Sequence, residues 1–397
     1  MTILRPRVPG RRLLHSPGPS PVPDAVLHAM SQQPMDLADP RVDANIAACE
    51  AGIRALVNAP RAEVFFFISN GHGVWESVVE NLAAPGQAVL VPGTGHFSEQ
   101  WAMQTEALGR RVVRTPWKPG WPIDMPALEQ ALRDDKTHEI KAVFAVHTDT
   151  ASSVTNDLMA VRRALDAARH PALLVADVVA SLGCAPYDME ALGADVTLGA
   201  SQKGLMCPPG IGILAVNARA MAASAACLAP RFYWDWARRQ GDQNYRKFCG
   251  TPPQSLMQGL EAALDLILQE GLPAVHRRHA ELAGAVQAAV EGWRTGGALD
   301  FFCQDPAVRS VSVTTITIPE NLPVDALRAT ARERFQVAIA GGLGPLTGKA
   351  FRIGHLGDQN AANVLGAIAG VEAALVVHGV PVGEGGTRRA LMHLAAG

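Results

Sequence analysis

Between residues 64 and 216, short apolar runs alternate with stretches of helical periodicity, and this alternation narrows the possible folds more than any other feature of the chain. Runs at 64–69, 88–92, 112–113, 142–147, 173–177, 195–199 and 211–216 read as strands. Helical patterns over 73–83, around Trp101, Ala102 and Leu108, and over 156–170 fall between them. Such an order predicts a mainly parallel sheet covered on both faces. Residues 204–210 are too few for a helical crossover, so one antiparallel strand is expected.

Near residue 251 the pattern changes. Two long helical stretches, 253–270 and 272–293, lead to an alternating run at 308–319 with the look of an edge strand. A helix over 324–335, strands at 337–340 and 351–353, and a helix over 360–378 complete a smaller α/β unit. The proline-rich run 16–23 excludes regular structure ahead of a first helix near Asp24. Residues 383–397 are glycine-rich, then weakly helical, and receive no function.

At 397 residues, with 48% hydrophobic and 18% charged side chains, the chain suits a large domain plus a small one. A net charge of −2 gives no electrostatic reason to expect nucleic acid or an anionic membrane. Cys49, Cys184, Cys207, Cys227, Cys249 and Cys303 show no metal-ligand spacing, so no metal is expected and the thiols read as reduced. No apolar segment follows Arg5, Arg7, Arg11 and Arg12, and no stretch approaches membrane-spanning length. The expectation is a cytoplasmic enzyme.

Five segments carry chemistry. Residues 68–73 end a strand and open a helix, where backbone N–H groups at the positive helix end make a phosphate cup or simply a tight turn. Asp177 ends an apolar run, where a carboxylate is costly unless paired; helix capping is the plain alternative. Lys203 sits between apolar and rigid flanks, where desolvation would lower its pKa and make it a nucleophile and base. Residues 147–153, rich in hydroxyls, either bind a ligand or cap the helix at Asn156 or Asp157. Arg352, flanked by apolar residues, invites a substrate carboxylate or a structural ion pair. A lysine and an aspartate at such strand ends are the two groups pyridoxal phosphate needs most.

Together these segments resemble the class V pyridoxal-phosphate aminotransferases of fold type I, and within them the alanine–glyoxylate and serine–glyoxylate group. The family's opening GPGPSNVP is matched by residues 16–23, its SGSGH turn by 68–72 and its DSVASLGG by 177–184. Its SGSQKxLxxPPG is matched by 198–210, and its GGLGPxxGKxxRIGxxG by 341–357 without a gap. The resemblance implies a seven-stranded, mainly parallel large domain over 15–265 and a small α/β domain over 266–397. An extended segment 1–14 would pack on the small domain or on a partner subunit.

By the same resemblance, Lys203 forms the Schiff base with pyridoxal phosphate and Asp177 pairs with its ring nitrogen. Asn70, Gly71, His72 and Gln202 surround the phosphate, and Thr150 contacts the ring's oxygen or the Schiff-base region. Val179 packs beneath the ring and Phe97 stacks above it. Thr251, with Phe248 where relatives carry tyrosine, reaches the phosphate of the neighbouring subunit, which makes the enzyme a homodimer with possible higher assembly. Arg352 holds the substrate carboxylate. The implied reaction moves an amino group from serine, alanine or aspartate to glyoxylate by ping-pong transamination.

Three segments depart from the family. Residues 147–153 lose a glycine at Ser153, residues 32–36 replace a common GHR or GSM, and residues 231–239 are shorter, more basic and more aromatic. Extra arginines in the last could accept a second carboxylate. Two rival readings stay open: a related lyase such as a cysteine desulfurase, for which Cys303 is the only C-terminal cysteine, and a non-catalytic binding protein on the same fold.

Overall fold

The apolar runs pair into one sheet. In the computed structural model, which describes residues 10–320 and 322–396, its order is Glu63–Ser69, Gly210–Val216, Val196–Ala200, Leu173–Asp177, Ile140–Val146, Ala88–Val91 and Arg111–Arg114. Gly210–Val216 is antiparallel to both neighbours, as the short connection before it predicts, and the remaining pairs are parallel. Alternate residues go to opposite faces. Phe66, Ile213, Leu174 and Val143 enter one hydrophobic cluster, while Phe67, Leu214, Val175 and Phe144 enter another. Burial on both faces is why these strands read as continuous apolar runs.

Helices Gly71–Leu82 and His96–Ala107 cover one face through Val74, Trp75 and Trp101. Helices Pro40–Leu56 and Gln254–Glu270 cover the other through Ile46, Ile53, Leu260 and Leu264. The first of these two is absent from the sequence expectation. Asp39 caps it by accepting from the Arg41 N–H, and Pro40 stands at its first position.

The second sheet runs Leu13–His15, Val337–Gly341, Ala350–Gly354, Val313–Thr317 and Asp300–Phe301. Its first strand comes from the N-terminus and joins in parallel; the rest is antiparallel. The run 308–319 is not an edge. Its strand, Val313–Thr317, is hydrogen-bonded on both sides. The alternation misleads because its threonines are buried with partners: Thr314 Oγ1 meets His355 Nε2 at 3.0 Å and Thr315 Oγ1 donates to the Ala151 carbonyl at 3.0 Å. The tail forms helix Gly386–Ala396, with Ala390 in the small-sheet core. Among the described residues no helix is long and apolar enough to cross a membrane.

Strand Ala88–Val91 leads on to one sheet edge, whereas its neighbour Ile140–Val146 leads the opposite way, to Leu173–Asp177. At such a reversal the carboxyl ends of the strands open a crevice.

Candidate active site

That crevice is a cavity of about 240 Å³. Asn70, Gly71, His72, Phe97, Thr150, Asp177, Val179, Gln202 and Lys203, all expected from the sequence, line it; Trp75, Val146, Thr148 and Ala180 join them.

Lys203 is carried on the turn after strand Val196–Ala200. Ser201 braces that turn, donating from its hydroxyl to the Pro208 carbonyl and accepting from the Ile211 N–H. Gly204 has to be glycine, because a Cβ there would lie 2.2 Å from the Leu182 carbonyl oxygen. The Lys203 ammonium donates to the Pro17 carbonyl. Gly18, at φ +138°, lies flat against the side chain, and a Cβ on it would come within 2.4 Å of Nζ. Burial lowers the amine to about 8; Arg352 pushes the same way and Asp177 opposes. The amine is thus brought near its neutral, nucleophilic form.

Asp177 closes strand Leu173–Asp177. Its two oxygens accept from Trp75 Nε1 and from the Val179 N–H, both at 2.8 Å. Burial raises the carboxyl to about 6, offset in part by those two donors. Among the described residues no cationic side chain lies within ion-pair distance of it. A buried acid in this state favours a cationic hydrogen-bond donor, and a pyridinium nitrogen fits. Gln202 adds a second sign of fit: its buried Oε1 has no protein partner, leaving the carboxamide free to turn to a ligand.

The turn 68–73 departs from its expected form. Asn70 Oδ1 itself accepts from the N–H groups of His72 and Gly73, at 3.1 and 3.4 Å, so the side chain caps the helix where a phosphate was expected. Asparagine is among the strongest N-cap residues, which accounts for the closure. A phosphate here would share or displace that cap.

Arg352 lies in the middle of strand Ala350–Gly354, just behind the cavity lining. Its Nε donates to the Gly341 carbonyl at 2.7 Å and its Nη1 to the Thr150 carbonyl at 2.9 Å. Among the described residues no carboxylate lies within ion-pair distance, so the structural ion pair is not what holds it. Burial lowers its pKa to about 10. Thr251 is not brought to this cavity; it is exposed, while Phe248 is buried against Phe66.

Two of the departing segments are explained by packing. Ser153 keeps a left-handed backbone, φ 63°, with its hydroxyl on Thr315 Oγ1, so the missing glycine does not change the turn. In 231–239, Arg231 donates to four backbone carbonyls and Arg239 is sandwiched between Phe67 and Tyr233 while donating to three. These two are structural, not the second-carboxylate readers that composition suggested. Cys303 is buried, its Sγ bonded to the Asp305 carbonyl and its thiol raised to about 11 by burial, which is unsuited to a mobile nucleophile.

Trp75 and Asp149 are the residues the sequence reading missed. Trp75 lies one helical turn beyond Gly71, a spacing that places it over the same crevice, and it stacks in line with Trp101 and Phe144. Asp149 was passed over as one polar residue in a polar run.

Fold and site together define a pyridoxal-phosphate enzyme. The chain belongs to the class V aminotransferases: the family model for "Aminotransferase class-V" matches residues 12–344. It is 38% identical over 384 residues to a serine–glyoxylate aminotransferase of Methylorubrum extorquens, covering 96% of this chain and 94% of that one. It is 37% identical to an L-aspartate–glyoxylate aminotransferase of Paracoccus denitrificans, covering 92% and 91%. The crystal structure of ureidoglycine–glyoxylate aminotransferase from Bacillus subtilis superposes with a TM-score of 0.88 at 25% identity, over 98% of this chain and 100% of that one. The enzyme is a transaminase that uses pyridoxal phosphate.

Proposed function

We propose that the enzyme takes the amino group of a small L-amino acid (serine, alanine or aspartate) and delivers it to glyoxylate, giving a 2-oxo acid and glycine in two half-reactions at one site. The observation that carries this reading is the convergence of Lys203, Asp177 and Arg352 around one cavity, each desolvated and none ion-paired among the described residues. Pyridoxal phosphate, when bound, supplies an electrophilic carbonyl carbon and an electron-withdrawing ring.

The chain's residues do the rest. Asp177 would keep the ring nitrogen protonated. Val179 and Phe97 would cover the ring, Thr150 would meet its oxygen, and Asn70, Gly71, His72 and Gln202 would hold the phosphate. Lys203 would be the nucleophile toward the carbonyl carbon, and its freed amine would then carry the substrate's α-proton to that same carbon. Arg352 turns its guanidinium fork to the substrate carboxylate. Glyoxylate as acceptor is supported by the names of the relatives.

Thr251 stands apart from its own cavity, and Phe232, Tyr245 and Leu228 are exposed apolar surface. This supports a homodimer in which Thr251 serves the neighbouring site; sedimentation as a monomer would overturn it. The units 15–265 and 266–397 are proposed as the two domains; the buried clusters divide somewhat later, one running to Val275 and the other starting at Leu282. The cytoplasm is the proposed compartment, in keeping with six free cysteines.

The test is to add serine, alanine or aspartate to the holoenzyme, follow the bound cofactor's visible band, and then add glyoxylate. One donor should bleach the band and glyoxylate should restore it. A band that responds to none of the three, or is restored by pyruvate but not by glyoxylate, would reject the assignment.

A further inference from the structure

Asp149 is wholly buried and, among the described residues, pairs with no cationic group. Instead, backbone amides hold its carboxylate. Oδ2 accepts from the Phe97 N–H at 2.8 Å, while Oδ1 accepts from Ala151 and Ser152 at 2.8 and 2.9 Å. These donors belong to two separate segments. Phe97 opens helix His96–Ala107 and puts its ring into the cavity wall. Ala151 and Ser152 form the turn that carries Thr150, whose carbonyl takes the Arg352 Nη1. The approach is close enough to exclude a side chain at Gly95, where a Cβ at φ +153° would lie 2.8 Å from Oδ2.

We propose that Asp149 is the positioning residue that fixes Phe97 and Arg352 in a single geometry, so that the ring's covering face and the carboxylate-binding arginine are set together. The proposal rests on reading the cavity as the cofactor site with Arg352 on the substrate carboxylate. A carboxylate suits the task because it offers acceptors in both directions. A carboxamide cannot: whichever way it turns, its NH2 faces an N–H that had been bonded. Charge matters as well, since Asp149 lies close enough to Arg352 and His96 to favour their cationic forms.

The experiment is a double-substitution cycle on the holoenzyme with Asp149→Asn and Phe97→Leu. It is read by pyridoxal phosphate affinity, by the circular dichroism of the bound-cofactor band, and by the split between KM and kcat. Asp149→Asn should weaken cofactor binding about tenfold, alter the dichroism, and raise the amino-acid KM more than it lowers kcat. Phe97→Leu should produce the same loss of affinity, and the double variant should be no weaker than either single one. If Asp149→Asn fails to fold, Gly95→Ala displaces the same carboxylate oxygen and should reproduce the affinity loss. Losses that multiply in the double variant, or an Asp149→Asn enzyme with unchanged affinity and dichroism, would overturn the proposal. A wild-type protein that binds no pyridoxal phosphate would overturn it together with the reading beneath it.

Discussion

Two regions of the molecule that bury polar groups treat them in opposite ways. Around the crevice at the carboxyl ends of the large sheet, Asp177, Lys203 and, from the small sheet, Arg352 are buried or half-buried charged groups with no ionic partner within bonding distance among the described residues, and each has its pKa moved toward neutrality. At the seam between the small sheet and the long helix Leu272–Arg294, His279 and His355 are equally buried, but both of their ring nitrogens are bonded. His279 pairs with the Val275 carbonyl and the Gly357 N–H, and His355 with the Val311 carbonyl and Thr314 Oγ1. Buried charge left without a counter-ion marks chemistry; buried polarity closed by neutral hydrogen bonds marks architecture.

The largest effect expected from this contrast is at Lys203. Replacing it with alanine should reduce transamination by about a thousandfold or more while leaving the melting temperature unchanged or higher, since a poorly paired buried amine is removed. Paired measurements of turnover and thermal unfolding would break the comparison if stability fell along with activity.

Acid stability comes next. Burial lowers His15, His147 and His279 to about 4 and His355 to about 3. Their neutral forms contribute stability that is whole above pH ~6.5, the unfolded value, and drains away as the pH falls toward the folded values, on the order of 3 kcal/mol for a single histidine. Asp177, raised to about 6, acts in the opposite sense and gains on protonation, but four histidines outweigh it. Urea midpoints should therefore fall steadily from pH 7 to pH 5. A flat profile would show that these rings are not neutral in the folded protein.

The smallest effect is at Thr314. Thr314→Val keeps the shape but strips His355 Nε2 of its partner, for a loss of about 1–2 kcal/mol with kcat unaltered. Denaturant unfolding and a rate assay on the same preparation separate the two effects.

How much of this was legible in the sequence follows the same divide. The large-sheet strands were readable because they are apolar on both faces, and the site residues because strand ends in such a sheet deliver ligands to one crevice. Val42, Ile46, Cys49, Ile53 and Leu56 already lie on one helical face, so Pro40–Leu56 carried a signal that strand–helix alternation alone passes over. The small sheet misled at Val313–Thr317, where buried threonines imitate a solvent-facing side. Arg231 and Arg239 were legible as charge but not as structure, since their hydrogen-bond partners are mostly backbone carbonyls that no composition reveals. Asp149 was hidden for the same reason: all three of its partners are amides.

The N-terminal ribbon has a mechanical consequence. Strand Leu13–His15 is sewn to the small sheet, and two residues later the Pro17 carbonyl touches the lysine of the large one. The chain therefore crosses between the two cores near its beginning as well as through its long helices. Anything that shifts strand Leu13–His15 against the small sheet would therefore also shift the carbonyl on which the Lys203 amine rests.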